Sequence, residues 1–225
     1  MAAVRTDVDI GDFWIKFAKE KPKVVFKSLK DIAFYTNKMP EHLIDPSTKV
    51  FLKTAMKPIG EASKLFSVID VLSNVNNLRK KLVSFNDGAT SYLYNLSITT
   101  LDTAASVSDL TSWMVATEVM QLAPTTMAWL PLISGTSLTY TFGTKIVKEI
   151  FINDTSRLTQ SQRNSRFYDL VKNVALFAIG LLLITASYIG FTTIAPYLAY
   201  LATTSLVCEA FKYYHDKHES FFAVP

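Results

Sequence analysis

The stretch NVALFAIGLLLITASYIGFTTIAPYLAYLATTSLVC, residues 173–208, contains no Asp, Glu, Lys or Arg. As one helix it would be about 54 Å long at 1.5 Å per residue, whereas a bilayer core of roughly 30 Å is crossed by about 20 residues. The stretch is therefore too long for one membrane crossing and fits two short ones. A buried hairpin in a water-soluble all-α domain is the alternative, but it would need most of a 225-residue chain to cover it.

The middle of this stretch has the residues that end one helix and begin the next. Gly190 is suited to a helix C-terminus, and Phe191 follows it. Thr192 can cap a second helix, and Pro196 is tolerated near the start of that helix. Aromatic residues flank the turn and both outer ends, as is typical of helices that cross membrane interfaces. The sequence therefore predicts a transmembrane hairpin over residues 171–213, with these four residues at its turn.

The composition fits a membrane protein with a large polar part. The chain is 49% hydrophobic, its mean hydropathy is +0.22, and its 23 basic and 19 acidic residues give a net charge of +4. This balance is unlike that of a dedicated nucleic-acid binder, so no nucleic-acid partner is predicted. A single cysteine, Cys208, excludes an intrachain disulfide framework. The first residues, MAAVRTDVDIGDFW, carry no apolar segment typical of a cleaved signal peptide.

Basic residues lie at both ends of the predicted hairpin. Arg157, Arg163 and Arg166 precede it, and Lys212 and Lys217 follow it. A hairpin brings its two ends to one side of the membrane, and basic segments favour the cytoplasmic side or its equivalent. Nearly all of the polar chain is therefore expected on that side, with the turn on the other.

Residues 1–97 form a basic region in which amphipathic helices are predicted. Apolar positions between residues 13 and 37 indicate two short helices separated at Pro22, with lysines interleaved. A basic amphipathic helix that contains Trp and Phe can lie in a membrane interface, and it can equally cover a protein core. The candidate membrane-surface residues are Phe13, Trp14, Lys16, Phe17 and Lys19.

The most regular helical pattern of this region runs from Glu61 to Val83, after Pro58 and Gly60. Its apolar residues recur every three or four positions, as expected for a bundle helix or for a helix that binds a partner. We take this helix and its basic end as the candidate partner-binding surface. Its residues are Leu65, Phe66, Ile69, Leu72, Arg79, Lys80 and Lys81.

A second hydrophobic region covers residues 98–150, but two prolines interrupt it and acidic residues lie within it. A single crossing would put basic segments on opposite sides of the membrane, against the charge rule. Two arrangements remain: a second hairpin formed by residues 99–122 and 126–145, or helices packed beside the membrane. Each acid inside a span costs roughly 2.5–3.5 kcal/mol, so packed helices are favoured. The acids are Asp102, Asp109 and Glu118.

No motif in the sequence indicates catalysis. His215 and His218, with Glu219 beside them, could meet a metal ion on one helix face, but such a group at a charged chain end is more typical of a solvated helix. The phosphate-loop, nucleophile-elbow and dinucleotide-binding patterns are absent from the sequence. We predict a protein that is not an enzyme and has no cofactor or metal site. A polar linker over residues 151–170 and a tail over residues 214–225 complete the predicted organisation.

Two parts of the sequence carry a resemblance to a known family. One is the segment from Lys172 to Glu209, with SYIGFTTIAP as its turn, and the other is the helical N-terminal stretch FWIKFAKEKPKVVFKSLKDIAFYTNKM…EASKLFSVIDVLSNVNNLRKK. In layout they resemble the chlamydial inclusion membrane proteins. The resemblance implies a secreted effector in the membrane of a host vacuole, with both ends in the host cytosol, where it binds host proteins. The chain departs from that layout in having a large region before the hairpin and a short tail after it.

These features predict a non-enzymatic integral membrane protein in contact with the lipid bilayer and with a protein partner, which the resemblance implies is a host protein. Two other classes fit the same sequence. One is a membrane-shaping protein that acts through amphipathic helices. The other is a small channel or transporter subunit, in which Asp102, Asp109 and Glu118 would line an ion path. An assembly of several copies of the chain is compatible with this layout.

Overall fold

The computed structural model describes residues 10–83, 89–116, 119–151 and 158–222, and the regular structure within these ranges is helical. The predicted all-α class is confirmed. The helices are α1 (Ile10–Glu20), α2 (Pro22–Asn37), α3 (Pro46–Val83), α4 (Ala89–Ala116), α5 (Pro124–Phe151), α6 (Gln160–Ile189) and α7 (Phe191–Phe222), with a single 3-10 turn at Glu41–Leu43. Two helices long and apolar enough to cross a membrane occur in the described ranges, at Gln160–Ala186 and Phe191–Lys217, where the sequence predicts the hairpin.

Helices α2 to α7 form a closed ring of antiparallel neighbours. Each packs against the next along the chain, and α7 packs against both α6 and α2, which closes the ring. The aromatic ring of Phe34 in α2 lies 5.8 Å from that of Phe191, so α2 ends beside the α6–α7 turn. At the opposite end, the Ser161 hydroxyl donates a hydrogen bond to the His215 carbonyl (2.9 Å). We call these the turn end and the terminal end of the ring.

Local sequence signals define several helix ends. Pro22 begins α2, as predicted. The Thr159 hydroxyl accepts a hydrogen bond from the Gln162 backbone N–H, and the Gln162 side chain accepts one from the Thr159 backbone N–H, so a capping box begins α6. Gly190 has a φ of +89°, a left-handed value that glycine adopts without steric cost, and it ends α6 where predicted.

Helix α3 begins earlier than the sequence indicates. The pattern predicts a helix from Glu61, but α3 starts at Pro46. At its first turn, the Asp45 carboxylate accepts hydrogen bonds from the Ser47 hydroxyl and from the backbone N–H groups of Ser47 and Thr48. These hydrogen bonds lower the pKa of the Asp45 carboxyl. The cap therefore starts the helix at a point that the apolar pattern does not mark.

Two prolines that the sequence predicts at helix starts lie inside helices. Pro58 lies within α3, and Pro196 lies in the second turn of α7, so Thr192 belongs to the first turn of α7 and is not its cap. A proline leaves the carbonyl four residues earlier without a helical partner. Those carbonyls belong to Thr54 and Thr192, both exposed residues, so water or a polar neighbour can supply the missing hydrogen bond.

Helices α5 and α6 approach closely at a pair of glycines. A Cβ atom added at Gly135 would lie 2.7 Å from the Gly180 carbonyl oxygen. One added at Gly180 would lie 2.6 Å from the Thr139 hydroxyl oxygen and 2.7 Å from the Thr139 backbone nitrogen. Neither position has room for a methyl group. Small residues that let two backbones approach in this way are typical of helix contacts inside membranes.

We predict that Gly180→Ala destabilises the folded protein by about 1–3 kcal/mol, because the added methyl forces α5 and α6 apart. Thermal unfolding in detergent micelles, followed by circular dichroism, measures this loss. Gly60→Ala in α3 is the matched control, since no atom lies within 4 Å of the added methyl. It should be neutral or stabilising by about 0.5–1 kcal/mol. Equal effects of the two substitutions would contradict the close packing of α5 on α6.

Candidate functional site

Between Ser63 and Leu72, helix α3 turns its polar side chains into the ring and its large apolar side chains outward. The inward residues are 2–8% exposed, and the outward residues are 51–69% exposed. A water-soluble bundle has the opposite arrangement, whereas polar groups inside membranes face the interior of a bundle. The inward residues are Ser63, Ser67 and Asp70, and the outward residues are Leu65, Ile69 and Leu72.

Helices α4 and α5 repeat this inverted arrangement. Their most buried described side chains are hydroxyls, and their exposed large side chains are mainly apolar. The buried ones are Thr103, Ser108, Ser137 and Thr141, and the exposed ones are Leu93, Val107, Met127, Trp129, Ile133, Tyr140, Val147, Ile150 and Phe151. Three of the six ring helices are therefore polar on the inside and apolar on the outside.

The hairpin is apolar on both faces over most of its length. Ile179 and Leu183 of α6 pack with Leu198 of α7 and Tyr35 of α2 in a buried cluster. The outer faces of α6 and α7 carry a second set of large apolar or aromatic side chains at 36–88% exposure. These are Phe167, Val174, Leu181, Tyr188, Tyr197, Tyr200, Val207 and Phe211.

The ring encloses a cavity of about 470 Å³, which we call the lumen. Side chains of α2, α4, α5, α6 and α7 line it, and seven of its described lining residues are charged. The polar hydroxyls of Tyr35, Ser134 and Ser205 line it as well. The charged residues are Lys27, Lys30, Asp31, Asp109, Lys145, Lys172 and Glu209.

Neighbouring helices supply partners for several lumen lysines. Lys27 Nζ donates a hydrogen bond to Asp70 Oδ2 of α3 (3.0 Å), and Lys23 pairs with the other oxygen of that carboxylate. Lys172 Nζ of α6 contacts Glu209 Oε2 of α7 (2.8 Å). These ion pairs join α2 to α3 and α6 to α7, so they hold the ring together as well as neutralising charge.

The Asp109 carboxylate has a different environment. It accepts a hydrogen bond from the Ser134 hydroxyl (3.2 Å), and the described residues supply no cationic group within 4 Å of it. Lys145, the lumen lysine on α5, lies over the Phe142 ring at 4.5 Å, and its interaction with the Asp102 carboxylate is at longer range than an ion-pair contact. Tyr35 is 9% exposed, and its hydroxyl makes no hydrogen bond within the described part of the chain. The lumen therefore offers polar groups that a bound solute could satisfy.

The candidate membrane-surface residues of α1 divide into two sets. Phe17 is fully buried, with its ring 5.4 Å from that of Tyr213, and Phe13 packs on the same tyrosine at 6.2 Å. Trp14, Lys16 and Lys19 are exposed. Phe17 is thus part of the contact between α1 and α7 and is unavailable to a membrane surface, because helical periodicity puts it on the face that meets α7.

The candidate partner-binding residues lie along one side of α3, except for Phe66 and Lys81. The ring of Phe66 stacks on that of Phe26 of α2 at 6.3 Å. Leu65, Ile69 and Leu72 are exposed, as are Arg79 and Lys80, whereas Lys81 is half-buried. The predicted stripe is therefore available to another molecule and does not form the core of this chain.

Sequence reasoning picked out Asp109 but missed the lumen residues of α2. Lys27, Lys30 and Asp31 recur at helical spacing on one face, which is also the spacing of an ordinary solvated helix. The predicted candidate Glu118 lies outside the described residues, as do the side chains of His218 and Glu219. In the described ranges, no group of three or more His, Cys, Asp or Glu side chains could hold a metal ion. The imidazole of His215 stacks on Tyr168 at 5.6 Å.

No protein-family model matches the chain, and neither a curated protein nor a solved structure is detectably similar to it.

We predict that Asp70→Asn lowers the free energy of unfolding by about 1–3 kcal/mol, because it removes the charged acceptor of Lys23 and Lys27. Denaturant unfolding in detergent micelles measures the change. Glu61→Gln, at an exposed acid of the same helix, should change stability by less than about 0.5 kcal/mol. If the two variants unfold alike, the Asp70 ion pairs do not hold α2 against α3.

Proposed function

We propose that the chain is an integral membrane protein, anchored by α6 and α7, that carries or conducts a small charged solute through its lumen. The observation that supports this most is the combination of seven charged side chains around a 470 Å³ cavity with apolar outer faces on the surrounding helices. Charged residues at membrane depth that face an internal cavity mark solute and ion pathways. The volume is also that of sites for small ligands.

The lumen lies alongside the charge-free part of the hairpin. Leu183 lines it towards the turn end, and Lys172 and Glu209 line it towards the terminal end. A bilayer around α6 and α7 would therefore surround the lumen as well. Water inside it would allow charged groups to remain ionised at that depth, which an apolar core does not permit.

We predict that an ionised thiol reagent reaches the lumen but not the outer face of the hairpin. In a Cys208→Ser background, Ser134→Cys should react with cationic 2-aminoethyl methanethiosulfonate in proteoliposomes, whereas Leu181→Cys should not, because lipid covers it. The cationic reagent should also outpace the anionic sulfonatoethyl reagent at Ser134→Cys, since Asp109 lies beside it. Faster reaction at Leu181→Cys than at Ser134→Cys would contradict both membrane insertion and a wet lumen.

We further predict that the purified protein raises the permeability of liposomes to K⁺, choline or chloride. Asp109→Asn should change the rate of the conducted ion by roughly tenfold, which corresponds to about 1.4 kcal/mol. Asp12→Asn, at an exposed acid of α1, is the control and should leave the rate unchanged. Rates equal to those of protein-free liposomes for all three probes, with the protein inserted, would refute a conducting role.

A second candidate function is the binding of a host protein at the terminal end, as an effector in a vacuole membrane. Two features support it: the layout of the sequence and the exposure of Arg79 and Lys80 at the end of α3. Photo-crosslinking from a photoreactive residue at Val83, an exposed position at the same end of α3, tests it in host membranes. A partner captured there should be lost from the double variant Arg79→Glu, Lys80→Glu and kept by Lys49→Glu, Lys53→Glu. No difference between the two double variants would count against this role.

A further inference from the structure

We infer that all six ring helices, α2 to α7, cross the bilayer, and that lipid acyl chains cover the outer faces of α3, α4 and α5. This inference rests on the proposed insertion of α6 and α7. It extends the membrane contact from one hairpin to the whole ring, whereas the sequence favours α4 and α5 as helices packed beside the membrane.

A series of contacts between neighbouring helices places α5, α4 and α3 at the same depth as the middle of the hairpin. Gly180 lies near the middle of the charge-free part of α6, and Gly135 of α5 contacts it through the close approach of the two backbones. Next to Gly135, Ser134 donates a hydrogen bond to Asp109 of α4 (3.2 Å). One turn from Asp109, Ser106 accepts a hydrogen bond from the Asn74 side chain of α3 (2.6 Å).

The other side of the ring gives the same depth for α2. Tyr35 of α2 packs with Ile179 of α6 and Leu198 of α7. Tyr35 also contacts Phe191 at the turn end, whereas Lys27 and Asp31, which precede it, line the lumen together with Ile179. Helix α2 therefore runs from the turn end past the middle of the hairpin. A bilayer that surrounds α6 and α7 therefore meets the other four helices at the same level, unless the ring opens.

The outer faces of these four helices suit that environment. Between Lys23 and Lys38, the exposed side chains of α2 are Leu29 and Phe34. Helix α4 exposes no charged side chain among its described residues, and α5 exposes none before Lys145. The two aspartates of α4, Asp102 and Asp109, are both hydrogen-bonded to α5 and directed into the ring.

Helix α3 has the narrowest apolar band on its outer face. Its exposed apolar side chains extend from Leu65 to Val75, which is about 16 Å at 1.5 Å per residue, and Ser73, Asn76 and Asn77 are exposed towards its terminal end. Lys64 and Arg79 flank it, and basic side chains at such positions extend their aliphatic stems along the apolar layer while the charges reach the headgroups. Local thinning of the bilayer accommodates the remaining mismatch.

Six crossings also satisfy the distribution of basic residues. An even number of crossings returns every segment at the terminal end to one side, including Arg79–Lys81, Lys148 and the basic ends of the hairpin. The turn end carries fewer described basic residues, namely Lys38, Lys49, Lys53, Lys57 and Lys64. One-sided placement of the larger basic group is what the positive-inside rule requires. The charge conflict that argues against a single crossing of residues 98–150 does not arise.

Single cysteines at both ends of the ring test the inference. In a Cys208→Ser background, Glu41→Cys, Gln121→Cys and Ile189→Cys mark the turn end, and Lys19→Cys, Lys80→Cys and Gln160→Cys mark the terminal end. Sealed vesicles of known orientation are treated with a membrane-impermeant maleimide. We expect the first three to be labelled from one side only and the last three from the other side only.

Each of the other labelling patterns leads to a different conclusion about the membrane crossings. If Ile189→Cys alone lies across the membrane, the hairpin is inserted but the six-crossing inference is overturned. If Gln121→Cys also lies across the membrane but Glu41→Cys does not, only four helices cross and the inference also fails. If all six positions are labelled from one side and carbonate extracts the protein, the proposed membrane insertion itself is wrong.

A spin label distinguishes lipid from a protein partner on the outer face of α3. A nitroxide at Leu72→Cys should be relaxed by oxygen, which concentrates in acyl chains, and shielded from a water-soluble nickel complex. A nitroxide at Lys80→Cys should show the reverse preference. Shielding of Leu72→Cys from both reagents would assign the stripe to a protein partner and overturn lipid contact there.

Discussion

A charged side chain must face water, a partner or a polar cavity, and this constraint determines the orientation of every ring helix. Lys27, Lys30 and Asp31 of α2, Asp109 of α4 and Lys145 of α5 all line one lumen. Because these groups share the inside, the large apolar side chains of α3, α4 and α5 are left on the outside. The outer surface is therefore apolar because the charged groups have their polar surroundings on the inside of the ring.

The ring also depends on contacts that hold its ends together. At the terminal end, Lys172 contacts both Asp169 (2.7 Å) and Glu209 (2.8 Å), and Lys212 contacts the same Asp169 oxygen (2.7 Å). Four charges therefore link α6 to α7 just beyond the charge-free segments. At the turn end the contacts are aromatic, with Phe191 against Phe34 and Tyr35. The two ends of the ring are therefore chemically unlike.

The sequence predicts the parts of this fold that local chemistry determines. The charge-free stretch, the Gly190 break and the start of α2 at Pro22 all appear as expected, since each depends on a few neighbouring residues. The direction of the α3 stripe could not be predicted in the same way. Periodicity identifies that Leu65, Ile69 and Leu72 share a face, but an apolar face packs as well against lipid as against protein. Asp70 lies on the opposite face of α3. Its ion pairs with α2 show that this opposite face is the one that points into the ring, so the apolar face points outward.

The lumen could not be predicted from the sequence, for a related reason. Lys27, Lys30 and Asp31 have the spacing of a solvated helix surface, and the cavity that they line exists only because α7 returns to pack against α2. That contact closes the ring and converts a surface into an interior. In the lumen, no described cationic group lies within 4 Å of Asp109 and no described acidic group lies within 4 Å of Lys145, although Lys27 and Asp102 interact with them at longer range. Ser134, the partner of Asp109, and Lys145 are about 16 Å apart along α5. A cation inside the lumen would therefore be attracted towards Asp109 and repelled by Lys145, and an anion the reverse, so a solute of either sign has one favoured level there.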